Sequence, residues 1–251
     1  MVILKTAREI AAMRQAGRIS AGALREAGKA VEPGVSTLEI DNIVRSYIEK
    51  QGATPSFLGY GGFPASACIS VNNVVIHGIP SAKEILKEGD IVSIDVGAYF
   101  GGYHGDNAYT FPCGDISPEA RDLLLDTTKE ALYQGIKQAA AGNRLGDIGS
   151  TVQRYVEARS YSVVRDFVGH GVGAKLHEDP RVPNYGTPGR GVRLLPGMTI
   201  AIEPMVTQGT HRVRILPDKW TTVTADGKLA AHFEHTVAVT GNGSVILTLP
   251  D

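Results

Sequence analysis

The chain has 251 residues, 25 basic against 26 acidic side chains, and 43% hydrophobic content, so it can hide roughly 70–75% of its unfolded surface and is no disordered chain. Balanced charge leaves no footprint for nucleic acid or anionic lipid, and the two cysteines, Cys68 and Cys113, are too few for a disulfide framework or a zinc ribbon. No apolar run approaches a membrane span, and Arg8, Glu9 and Arg14 interrupt any signal-peptide stretch, which leaves a cytoplasmic enzyme or binding module as the expectation.

Thr6 and Glu9 have capping-box spacing, and Ile10, Met13, Ile19, Ala23 and Leu24 form one helical stripe behind them. After the turn at Pro33-Gly34, a second box, Ser36 to Glu39, opens a helix expected to stop near Gly52. Residues 54–68, rich in Gly, Pro and aromatics, mark a loop. Alternation over 90–98 and 103–111, separated by Gly101-Gly102, predicts a hairpin. Ser117-Pro118 starts a helix predicted to run to about Ala141. A shorter helix is predicted over 145–159, with strands and turns beyond it.

The sequence also repeats. Shifted by 108 positions, Gly34 meets Gly142, Glu39 meets Asp147, Ile40 meets Ile148 and Val44 meets Val152. The register survives to Leu86 and Leu194, Gly89 and Gly197, Ile94 and Ile202, and Asp95 and Glu203. A common register through helix, turn glycine, strand and acid points to duplication. The fold expected is therefore α+β, with two helix-plus-hairpin halves, about 1–115 and 116–251, in one domain without an N-terminal extension. Asp95 and Glu203 would then face each other.

The predicted strands carry acids where a sheet should be apolar or open to water. Val92, Ile94, Val96 and Ala98 make one face of the first strand, while Asp95 shares the other with Ser93 and Gly97. A two-residue turn at Gly101-Gly102 puts Asp106 opposite Gly97, diagonal to Asp95 at a Cα separation of roughly 7–8 Å. Glu203 and Glu234 sit likewise on strands with apolar opposite faces. Four carboxylates converging on one concave face cannot all stay ionised without nearby positive charge, which one or two divalent cations would supply. Three histidines, His77, His170 and His177, lie among glycines and prolines, where backbone can approach a ligand closely. His104, His211, His232 and His235 read as structural. No phosphate loop, zincin pair or serine-nucleophile elbow is present.

Together these residues resemble the type I methionine aminopeptidases of the pita-bread fold. The resemblance is carried by Ile69-Ser70-Val71-Asn72, His77-Gly78-Ile79-Pro80, Asp95-Val96, His104-Gly105-Asp106, Gly169-His170-Gly171-Val172-Gly173, His177-Glu178-Asp179-Pro180, Ile202-Glu203-Pro204-Met205 and Glu234-His235-Thr236. It implies a pseudo-symmetric sheet enclosing two divalent ions (cobalt, manganese, iron or zinc) on Asp95, Asp106, His170, Glu203 and Glu234. It implies attack by a bridging water or hydroxide, with Glu203 doubling as proton shuttle. His177 would stabilise the tetrahedral intermediate, and His77 would hydrogen-bond the substrate. A methionine pocket is implied at Tyr60, Phe63, Cys68 and Trp220, with Phe57 and Leu176 nearby, a sulfur-friendly lining.

Four positions depart from the commonest family pattern: Phe57, Leu176, Gly97 and Asn107. The activity implied is removal of the first methionine from nascent proteins when the next residue is small, by a cytoplasmic monomer in transient proximity to the ribosome. Two rivals keep the fold: an X-Pro aminopeptidase or prolidase-like enzyme, and a non-catalytic pita-bread binding protein. The first generally carries a large extra N-terminal domain, and the second would lack ligands that are all present here. A type II enzyme is disfavoured because only 30 positions separate Glu203 from Glu234.

Overall fold

Both capping boxes form, and each starts a helix that lays an apolar stripe on the sheet. In the computed structural model, which describes residues 1–250 and their side chains except at 124–126, the Thr6 hydroxyl accepts from Glu9 N–H ahead of the Ala7–Lys29 helix. Ser36 does the same for Glu39 ahead of Thr37–Lys50. Met13, Ala23, Ile40, Val44 and Ile48 are fully buried. The second helix ends at Lys50, and Gly52 turns the chain with φ of 70°, a conformation that favours glycine.

Among the described residues the main sheet has nine antiparallel strands. Seven run in the order Thr54–Pro55, Ile91–Phe100, Tyr103–Pro112, Glu234–Thr240, Thr199–Ile202, Gly169–Gly171 and Glu178–Val182. Ala67–Val71 pairs with Ile91–Phe100, and Gly243–Ile246 with Glu234–Thr240. The predicted hairpin register holds: Gly97 faces Asp106 and Asp95 faces Ala108. Val92, Ile94, Val96 and Ala98 pack under the first two helices in one core cluster. Ile200, Ile202, Val237 and Val239 pack with Leu132, Ile136, Ile148 and Val152 in the other. The helices thus cover one side of a curled sheet and leave the other to the carboxylates. This is the α+β pita-bread architecture expected from the sequence.

The second half differs from expectation in detail. The helix capped by Ser117 begins at Pro118 as predicted but widens into a π segment, Asp122–Lys129. It ends at Gln138 rather than near Ala141. The chain must leave the helix early because Gly142 N–H donates to Leu194 carbonyl at 3.0 Å, which ties that turn to the sheet. Glu203 lies just past its strand, Thr199–Ile202, rather than within it. Among the described residues no helix is long and apolar enough to cross a membrane.

Candidate active site

Asp106 and Glu234 enter the site from the two central strands, which pair Glu234 with Ala108 and His235 with Asn107. Thr236 locks that junction: its hydroxyl donates to Asp106 carbonyl at 2.8 Å and accepts from Asp106 N–H at 3.1 Å. Asp95 comes from the neighbouring strand and Glu203 from the bend after Ile202. Asn184, fully buried, donates to the Glu203 carbonyl at 2.8 Å and steadies that bend. His170 sits on the short strand Gly169–Gly171. The five residues read as a metal set from the sequence therefore arrive from five separate strands or strand ends.

One ligand atom each of Asp106, His170 and Glu234 lie within 4.8 Å of one another, and the same holds for Glu203, His232 and Glu234. His170 Nε2 is 3.7 Å from Asp106 Oδ2 and 3.6 Å from Glu203 Oε1. Its Nδ1 is 2.8 Å from Gly171 carbonyl. A carbonyl can only accept, so Nδ1 carries the proton and Nε2 keeps a lone pair toward the carboxylates. Burial holds the His170 ring neutral, down to about 3.

The carboxylates are strained electrostatically. Burial raises Asp95 to about 7. Burial first, then the Asp95 charge, pushes Asp106 and Glu203 well above the usual carboxylate range. Glu234 rises through burial and the Asp106 charge. Asp95 Oδ1, Asp106 Oδ1, Glu234 Oε1 and His232 Nε2 are buried without a hydrogen-bond partner. Unpartnered buried polar atoms are costly, and a cation held among Asp106, His170 and Glu234, or among Glu203, His232 and Glu234, would offset that cost there. The donor set, mostly oxygen with imidazole, suits such an ion.

His232, expected to be structural, lies beside two of the carboxylates. Its Nε2 is 3.7 Å from Glu203 Oε2 and 4.0 Å from Glu234 Oε2, with 2% of its side chain exposed. The available signal was parity: His232 shares the face of Glu234 two residues on. Phe167, whose ring meets His77 edge-on at 5.7 Å, was also unforeseen. His104, expected to be structural, has Nδ1 2.8 Å from the Ser56 hydroxyl.

A cleft of about 780 Å³ opens over the carboxylates. His77 and His177 both line it. His77 has φ of 59°, a left-handed conformation rare outside glycine and typical of functional sites. Its ring lies 6.1 Å from Trp220, and burial lowers its pKa to about 4. The His177 ring lies 4.1 Å from that of His170, tilted by 60°, and its Nδ1 is 2.7 Å from Tyr60 hydroxyl.

Phe57, Phe63, Cys68 and Leu176 form a buried apolar cluster, with Trp220 packed against it. Tyr60 stands outside this cluster at the rim, 44% exposed. Phe57 and Gly97 meet beside this cluster. A Cβ at Gly97 would lie 2.8 Å from a Phe57 ring carbon and 2.7 Å from Ser56 Cβ. Ser56 and the Phe57 ring thus both occupy the space that a side chain at 97 would need.

The chain is matched by the model of metallopeptidase family M24 over residues 11–241. It is 57% identical to a methionine aminopeptidase of Clostridium perfringens and 54% identical to methionine aminopeptidase 1 of Bacillus subtilis, each across 99% of both chains. The crystal structure of a methionine aminopeptidase from Thermotoga maritima superposes with a TM-score of 0.97 at 47% identity, covering 99% of this chain and 100% of that one. With these likenesses added to the geometry, the chain belongs to metallopeptidase family M24, among its methionine aminopeptidases.

Proposed function

We propose that the cleft is the active site of a metal-dependent methionyl aminopeptidase that removes the first methionine from nascent polypeptides when the next residue is small. The observation that carries this reading is the group of buried carboxylates with unpartnered oxygens beside a histidine held as a neutral ligand. Asp95, Asp106, His170, Glu203 and Glu234 would hold two divalent ions; manganese, iron, cobalt and zinc suit this donor set. The chemistry such ions supply when bound is polarisation of the scissile carbonyl and a lower pKa for water.

The remaining steps belong to side chains. Glu203, whose carboxylate lies between His170 and His232, takes a proton from the attacking water and passes it to the leaving amine. His177 hydrogen-bonds the oxygen of the tetrahedral centre and thereby stabilises developing charge. His77, uncharged at neutral pH because burial lowers it to about 4, hydrogen-bonds the substrate beside the scissile amide. Phe63, Cys68, Tyr60 and Trp220 receive the methionine side chain, with Phe57 narrowing the pocket above Gly97. Aromatic edges and a thiol favour a thioether.

The catalytic unit is one domain of two fused halves, about 1–115 and 116–251. It works in the cytoplasm as a monomer that meets its substrates close to the ribosome, with no nucleic acid or membrane bound. The test is release of methionine from Met-Ala-Ser by protein supplied with Mn²⁺ or Co²⁺, with Ala-Pro-Ala as the competing substrate. Methionine release abolished by EDTA and restored by metal is the expected result. Cleavage confined to Ala-Pro-Ala would overturn the assignment.

A further inference from the structure

Lys5 lies outside every catalytic role described so far, yet its ammonium is buried. It forms an ion pair with Glu178, and the two side chains are only 3% and 5% exposed. Lys5 Nζ also donates to Ile3 carbonyl at 3.2 Å, and its backbone is held by Lys5 N–H to Gly197 carbonyl at 2.7 Å. Glu178 follows His177 directly and opens the strand Glu178–Val182. Its other oxygen accepts from Lys175 N–H at 3.2 Å. One carboxylate thus closes the turn 175–178 on itself and fastens it to the segment before the first helix. That turn carries Leu176, buried in the apolar cluster, and His177.

The surroundings are shaped for this clamp. A Cβ at Gly173 would lie 2.3 Å from Glu178 Oε1, so the carboxylate occupies space that only a glycine leaves. Gly173 N–H in turn donates to Lys175 carbonyl at 3.0 Å, and its carbonyl accepts from His104 N–H at 2.9 Å. A buried ion pair is poor at raising stability, because removing two charges from water offsets most of their attraction. What it does well is set one arrangement against alternatives, since any shift of the turn leaves two charges unpaired.

We propose that Lys5 is a positioning residue for the reaction: through Glu178 it fixes His177 and Leu176 over the cleft. This deepens the aminopeptidase reading and rests on it. The test separates placement from stability by comparing Lys5→Met with the double variant Lys5→Met/Glu178→Met, and with Lys5→Arg as the conservative change. Lys5→Met leaves a buried unpaired carboxylate, so its Tm should fall by on the order of 10 °C. The double variant removes both charges and should regain most of that loss.

Its kcat on Met-Ala-Ser should nevertheless stay down by about tenfold to a hundredfold, the scale of a small misplacement of a reacting group. Metal content should match the parent. Lys5→Arg should keep most of the activity. Adding His177→Ala to the double variant should cost far less than adding it to the parent, because residues acting as one unit are not additive. Activity that returns with Tm in the double variant, or fully additive His177→Ala effects, would overturn the proposal.

Histidine ¹⁵N spectra supply a readout independent of turnover, through the hydrogen bond between His177 and Tyr60. Signals of His177 that are unchanged in Lys5→Met, Glu178→Gln and the double variant would also overturn it. A parent protein that releases no methionine with any metal would instead sink the aminopeptidase reading, leaving the spectral comparison to decide the clamp.

Discussion

The two halves of the molecule build the same frame and use it differently. Gly34 N–H donates to Leu86 carbonyl at 2.8 Å, and 108 residues later Gly142 N–H donates to Leu194 carbonyl at 3.0 Å. The isolated bridges Ser36–Ile85 and Arg144–Arg193 keep the same offset. So do the helices starting at Thr37 and Leu145, and the turn glycines Gly34 and Gly142, with φ of 94° and 96°. On that frame the first half carries Asp95 within a ten-residue strand. The second carries Glu203 on the bend after a four-residue strand, together with His170 and His177. Matched scaffolds bring the acids together. Unmatched strand ends make the site directional, with one carboxylate held in regular pairing and the other on a bend between two histidines.

The largest effect expected from this comparison concerns the two related acids. Asp95→Asn and Glu203→Gln should each weaken metal binding by more than the roughly 10–100-fold that loss of an outer partner costs. Excess metal should restore part of the methionine release in Asp95→Asn and none in Glu203→Gln, which would also lack the proposed proton carrier. Metal titration followed by peptide assay checks both. Equal recovery in the two variants would erase the functional asymmetry drawn here.

The frame itself should respond symmetrically. Ile40 and Ile148 are equivalent and fully buried, so Ile40→Ala and Ile148→Ala should each cost about 2–5 kcal/mol in denaturant unfolding. A much larger cost in one half would mean the cores are not equivalent.

A pH effect follows from His77. Its folded pKa of about 4 lies below the ordinary 6.5 because burial disfavours the charged ring. The unfolded chain therefore binds more protons, and stability present above about pH 6.5 is lost as pH falls toward 4. In metal-free protein, His77→Gln should lose less stability over that window than the parent, by up to about 3 kcal/mol. Parallel unfolding curves for the two proteins at pH 7 and pH 5 would refute this.

The smallest difference is at the helix starts. Ser36 hydroxyl accepts from Glu39 N–H at 3.3 Å, whereas the guanidinium of Arg144 has no lone pair to offer. There Asp147 alone works, accepting from Arg144 N–H and from Gly189 N–H, both at 2.7 Å. Ser36→Ala should cost about 1 kcal/mol, measured by thermal unfolding, and Arg144→Ala less.

Much of this was legible along the chain because it is local or periodic. Capping boxes, turn glycines, the alternation around Asp95 and the 108-residue register all depend on residues close in sequence or on one fixed offset. The hairpin register put Asp106 opposite Gly97 from a two-residue turn alone. For His232 only the face shared with Glu234 was legible, since its approach to Glu203 depends on a bend that brings together residues 29 positions apart. The π segment was not legible, because helix periodicity does not reveal a single widened turn.

The amino-acid sequence by itself determined the capped helix starts, the hairpin register and the 108-residue offset, through short-range sterics and hydrophobic period. Only the tertiary structure decided which groups share one low-dielectric space. Burial there raises four carboxylates, and repulsion from the neighbouring charges adds to the rise of Asp106, Glu203 and Glu234, while the same packing seats Phe57 against Gly97 and Lys5 against Glu178. Those effects depend on distance and on the exclusion of water across strands far apart in the chain, quantities that no local pattern encodes.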